Sequence, residues 1–81
     1  MTVRVLLFGH YRDVCPEGTL TLDVSEGATI ADVAGRLAER DARFADLLAR
    51  TRVAINADFT TPTAALSPDD EVAFLPPMSG G

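Results

Sequence analysis

Val3, Val5 and Leu7 alternate with Arg4, Leu6 and Phe8, so one face of this run is wholly apolar and the other partly so, as in a central strand. The pattern predicts a strand over residues 2–8. Gly9 breaks it, and residues 10–15 ahead of Pro16 are too few for a packed helix, which predicts one helical turn and then a loop. Leu20, Leu22 and Val24 alternate with Thr19, Thr21 and Asp23, a half-buried strand that Gly27 ends. Thr29-Ile30-Ala31-Asp32 then has the form of a capping box, with Asp where Glu or Gln is preferred. In the helix it opens, Ile30, Val33, Ala34, Leu37 and Ala38 share one face, whereas Asp32, Arg36, Glu39 and Arg40 face water. Gly35 costs about 1 kcal/mol against alanine there, and is read as a point of close approach to the sheet.

A second helical stretch, residues 42–50, groups Phe44, Leu47 and Leu48 behind Asp41 as N-cap. Strand returns at residues 52–56; Ala57-Asp58 is a turn, and Phe59-Thr60-Thr61 before Pro62 makes at most a short edge segment. After the turn cluster of residues 66–70, Glu71-Val72-Ala73-Phe74-Leu75 is the last strand. An opening hairpin, one main helix and a later set of strands require an α+β arrangement, a four-to-five-stranded mixed sheet packed on one face by a helix.

Composition narrows the chemistry. Eighty-one residues with 47% apolar content allow one domain. One cysteine, Cys15, and one histidine, His10, supply neither an intrachain disulfide nor the ligands of a common structural zinc site, so no metal and no cofactor are expected. Cys15 reads as a spectator thiol and His10 as a surface or loop residue without a triad partner. The longest apolar run, residues 5–8, is far too short for a membrane span, and no basic-then-apolar export signal opens the chain, which makes it a cytoplasmic protein by expectation. Seven arginines, no lysine and twelve acidic residues leave a net charge of −5, which repels a nucleic-acid backbone and suits a basic partner protein. The acidic run Asp69-Asp70-Glu71, close in sequence to the tail, is a candidate for steering such a partner.

Beyond Leu75 the pattern changes. Pro76-Pro77-Met78-Ser79-Gly80-Gly81 cannot extend a strand or bury much apolar area. The prolines make an extended base of low entropy, and the glycines a slim end without Cβ. Such a stalk can thread its terminal carboxylate through a narrow channel into another protein's active site. The chain therefore divides into a body, 1–75, and a tail, 76–81.

The ending 69–81 (DDEVAFLPPMSGG), the opening Val3-Arg4-Val5-Leu6-Leu7-Phe8-Gly9 and the segment Val53-Ala54-Ile55-Asn56 together resemble the MoaD/ThiS family of ubiquitin-like sulfur carriers, most closely its molybdopterin synthase small-subunit branch. The resemblance covers the whole chain. Two departures are Pro68-Asp69-Asp70, where the family often has a glycine, and Met78, where it often has valine.

The resemblance implies a β-grasp fold and a carrier without catalytic groups of its own. An ATP-dependent adenylyltransferase of the ubiquitin-activating type would adenylate the Gly81 carboxylate, and a sulfur donor would convert it to a thiocarboxylate. The tail, seated in the molybdopterin synthase large subunit within a heterotetramer, would then give its sulfur to cyclic pyranopterin monophosphate, two carriers serving each dithiolene. Gly81 and Gly80 are the reactive end, and Pro76, Pro77, Met78 and Ser79 the partner-binding stalk. Of Phe74 and Leu75, which point to opposite sides of a strand, the resemblance favours Phe74 as the outward partner anchor. A ubiquitin-like protein modifier, the thiazole-pathway carrier and a plain interaction domain with an inert tail are the alternatives.

Overall fold

The computed structural model describes residues 1–77; Met78, Ser79, Gly80 and Gly81 of the tail lie outside them. Strand β1 (Thr2–Leu7) forms where the alternation is strictest, and it buries Val3, Val5 and Leu7 completely. A 3₁₀ turn (Gly9–Asp13) and a loop lead back into β2 (Thr19–Asp23), antiparallel to β1 with Val3 opposite Leu22 and Val5 opposite Leu20. Helix α1 (Ile30–Arg40) crosses one face of the sheet, followed by a second 3₁₀ turn (Ala42–Phe44) and the short helix α2 (Leu47–Arg50). The chain then returns as β3 (Arg52–Ile55), β4 (Asp58–Thr60) and β5 (Glu71–Leu75).

These form one five-stranded sheet in the order β2-β1-β5-β3-β4. The last strand in sequence is the middle one in space. It runs parallel to β1, with Val5 beside Val72 and Leu7 beside Phe74, and antiparallel to β3, with Val53 beside Phe74. Central strands of this kind read as near-continuous apolar runs, as residues 5–8 and 72–75 do.

Asp32 closes the capping box despite its shorter side chain: the Thr29 hydroxyl accepts from Asp32 N–H at 3.2 Å and Asp32 Oδ2 from Thr29 N–H at 2.8 Å. Helix α1 buries Ile30, Val33, Ala34 and Leu37 against the sheet. Gly35 departs from expectation. It is exposed, and a Cβ added there would meet nothing within 4 Å, so close packing is not its reason. The second helical stretch is also broken in two. Asp41 caps the 3₁₀ turn by accepting from Arg43 N–H at 3.0 Å, and Phe44 and Leu47 are buried. Leu48 is left exposed, because a break between the two pieces rotates the faces that one continuous helix would have aligned.

The turns carry the remaining order. Asn56 and Ala57, both at positive φ (49° and 72°), make the two-residue connection between β3 and β4, a geometry whose twist matches a hairpin. The Asn56 side chain donates to Asp70 Oδ1 at 2.9 Å and accepts from Glu71 N–H at 2.9 Å, tying this turn to the start of β5. Asp69 sits at φ 67°, where a short polar side chain is tolerated in place of glycine.

Candidate functional site

The tail leaves the body from the end of β5, so the site is built from whatever surrounds Leu75. On the helix side, Phe74 is fully buried between Leu7 and Val53. This corrects the expectation that Phe74 is the outward anchor: register places it on the same face as Val72, under α1, and gives the open face to Leu75. Leu75 is half-buried there.

That open face carries an apolar row over four of its five strands: Leu6, Ala73, Ala54 and Phe59, from β1 through β5 and β3 to β4. Phe8 continues the alternation with extended backbone (φ −130°, ψ 166°) and is 37% exposed; Phe59 is 57% exposed. The Arg52 guanidinium stacks 3.8 Å above the Phe59 ring centroid, holding that ring by a contact worth about 0.5–1 kcal/mol at an exposed site.

Gly9 seats the tail. It sits at φ 63°, and a Cβ there would come 3.0 Å from Pro76 Cγ. The missing Cβ lets the proline ring lie on the turn without a shift, and Pro76 is half-buried while Pro77 is the first exposed residue of the stalk. Beyond it, Met78, Ser79, Gly80 and Gly81 fall outside the described residues. His10 is exposed and tilted against Tyr11 at 4.1 Å between ring centroids. Cys15 is half-buried, its thiol 3.7 Å from the Thr19 carbonyl oxygen.

Beneath this rim lies a residue that the pattern did not single out. Tyr11 is fully buried, stacks on Phe44 at 6.1 Å, and donates its hydroxyl to Asp46 Oδ1 at 2.9 Å. Asp46 Oδ2 holds Arg50 Nε at 2.9 Å. Burial, and then the bond to the Asp46 carboxylate, push the phenol up to about 12. A lone tyrosine in a short turn carries one signal for such a role, since a buried tyrosine needs a partner for its hydroxyl.

The acidic run is elsewhere. Glu71 begins β5 and Pro76 follows its end, roughly 16 Å away at about 3.3 Å per residue. Glu71 pairs with Arg4 at 2.6 Å, Asp70 Oδ2 accepts from Ser67 N–H at 2.8 Å, and Asp69 N–H donates to the Thr2 carbonyl at 2.8 Å. Nearness in sequence had placed these carboxylates beside the tail; the direction of β5 puts them at the opposite end of the sheet. Among the described residues there is no His, Cys, Asp or Glu group able to hold a metal ion, and no helix long and apolar enough to cross a membrane.

A β-grasp sheet whose middle strand runs out into a proline-stiffened tail defines the ubiquitin-like class. Residues 5–81 match the ThiS family, and the chain belongs to that family. It is 31% identical to the molybdopterin synthase sulfur carrier subunit of Mycobacterium tuberculosis, over 98% of this chain and 96% of the other. Its fold is that of SAMP1 from Haloferax volcanii, at a TM-score of 0.86 and 24% identity with both chains covered completely. It is also that of a chain in the complex of subunits 1 and 2 of the molybdopterin-converting factor from Helicobacter pylori, at a TM-score of 0.72 and 22% identity, again with both chains covered completely.

Proposed function

We propose that this chain is the sulfur carrier subunit of a molybdopterin synthase. The observation that carries the reading is the placement of the tail base: β5 delivers Pro76 and Pro77 to the rim of an open sheet face bearing Leu6, Phe8, Leu75 and Phe59. An apolar face beside a stalk is what a carrier needs to dock on a second protein while its end reaches a buried site. The Mycobacterium tuberculosis relative bears the same functional name, and the complex from Helicobacter pylori supports a large-subunit partner.

In this reading, residues 1–75 are the docking body and 76–81 the delivering tail. Pro76 and Pro77 stiffen it, Met78 and Ser79 line the channel, and Gly80 and Gly81 pass where no Cβ fits. The Gly81 carboxylate attacks the α-phosphorus of ATP on an adenylyltransferase of the ubiquitin-activating type, releasing pyrophosphate. Adenylation is required because a free carboxylate is a poor electrophile. A sulfur nucleophile then displaces AMP at the carbonyl carbon, leaving the thiocarboxylate. On the large subunit that sulfur bonds to a side-chain carbon of the pyranopterin as a carbon–oxygen bond there breaks and the oxygen leaves, and water cleaves the acyl–sulfur bond to return the carboxylate. The acid–base groups belong to the partners, and this chain supplies the reactive end and its positioning.

Incubation with the adenylyltransferase encoded in the same genome, ATP and sulfide, followed by intact-mass measurement, tests it. An oxygen-to-sulfur exchange at the C-terminus is the expected result, together with dithiolene formation when the large subunit and pyranopterin are added. Deleting Gly81 abolishes both and leaves the melting temperature unchanged. Conjugates to lysines of other proteins mark a modifier instead, and an unaltered mass an inert tail.

A further inference from the structure

A groove of about 500 Å³ runs beside the tail base, lined by His10, Arg50, Thr51, Arg52, Pro76 and Pro77. Among the described residues no carboxylate lines it, although the chain as a whole carries a net charge of −5. Arg50 is rooted in the body through Asp46 and the buried Tyr11 hydroxyl. The Arg52 guanidinium carbon lies 3.8 Å from the Phe59 ring centroid, a contact with the ring face that uses none of its N–H donors on a carboxylate, and among the described residues no carboxylate pairs with it. Two arginines with restrained side chains lose less entropy on binding than free ones.

We propose that this groove receives a carboxylate-bearing segment of the large subunit at the lip of the channel that the tail enters. The inference rests on the sulfur-carrier reading and adds the chemistry of the partner's surface. The net charge suits a basic partner, but charge placement overrules net charge here: the acidic run stands at the far end of β5, with the Asp70 and Glu71 carboxylates engaged there, and the cations stand where the stalk emerges. Continuity supports it as well, since Pro76 and Pro77 form one wall of the groove and any protein enclosing the stalk must pass over it. Planar guanidinium forks match Asp or Glu side chains in two-point contact. The partner's lip is therefore acidic, even though its interior faces a carboxylate terminus.

The test is calorimetric titration of the full chain against the large subunit from the same genome at low and high salt. The double variant R50E/R52E is expected to bind about tenfold or more weakly at low salt, with the salt dependence reduced or reversed. Because Arg50 also holds Asp46, the single variant R52Q provides a second measurement, and its affinity falls while the chain stays folded at the temperature of the titration. R40E, on the exposed end of α1, makes the same kind of charge reversal away from the groove and retains the wild-type affinity. Wild-type affinity in R50E/R52E and R52Q, or an equal loss in R40E, overturns the groove as a docking site. A loss confined to the adenylyltransferase, with large-subunit binding intact, overturns the assignment of the occupant. Failure of the wild-type chain to bind the large subunit at all overturns the sulfur-carrier reading along with the groove.

Discussion

The two ends of β5 present opposite charge and opposite kinds of order. At its start, Asp69, Asp70 and Glu71 are bound to Thr2, Ser67, Asn56 and Arg4, so three acidic residues close a turn and align β5 with β1 and β3. At its finish, Gly9 accommodates Pro76, and Arg50 and Arg52 border a groove that no carboxylate lines among the described residues. One end spends its carboxylates on the fold, and the other leaves Arg52 without a carboxylate among the described residues. A middle strand can serve both purposes because five extended residues, Glu71–Leu75, carry the chain roughly 16 Å from its entry turn to its finish at about 3.3 Å per residue.

The largest expected effect that tests this contrast is at Phe74. Phe74→Ala removes a fully buried ring and should cost about 3–5 kcal/mol by chemical denaturation, with any loss of large-subunit binding explained by unfolding. Phe59→Ala is the converse: its ring is exposed, stability should fall by no more than about 1 kcal/mol through the lost contact with Arg52, and affinity for the large subunit should fall. A surface role for Phe74 would reverse these outcomes.

Gly9→Ala comes next. A Cβ must enter left-handed backbone and press on Pro76, at a cost of roughly 1–2 kcal/mol for the backbone alone. The same substitution should lower the rate of sulfur transfer from carrier that remains folded, since the stalk leaves the body at an altered angle. Thermal melts paired with single-turnover transfer separate the two effects.

Alkaline titration probes the support under the groove. Tyr11 is the chain's single tyrosine, and its phenol, raised from 10.0 to about 12, binds its proton more tightly folded than unfolded. Stability from this group is therefore complete below pH 10 and declines as the pH rises from there toward 12. With no lysine titrating in that window, tyrosinate absorbance should report one transition displaced upward, and Asp46→Asn should bring it down. At the acidic end the smallest effect is expected. Glu71→Gln removes one exposed pair with Arg4, worth about 0–1 kcal/mol, and the association rate with the large subunit should not change.

Much of this architecture is written in local pattern. Strict alternation marks β1 and β2, the Thr29 box starts α1 within a residue of its observed first turn, and the run from Pro76 to Gly81 declares a slim tail because proline and glycine constrain the backbone wherever they occur. Those are properties of neighbours along the chain, set by period, capping and φ. What only tertiary structure decided is which side and which end. Alternation says that Phe74 and Leu75 face opposite ways; which of them is buried depends on the sheet face that α1 covers. Likewise the acidic run adjoins the tail in sequence yet stands at the far end of the sheet, where Glu71 meets Arg4, 67 residues earlier. Tyr11, Asp46 and Arg50 form a chain of contacts only because a turn after β1 packs on the segment before β3. Faces, poles and such contacts depend on long-range pairing, and a periodicity of two or of three and a half residues carries no information about which distant strand will lie alongside.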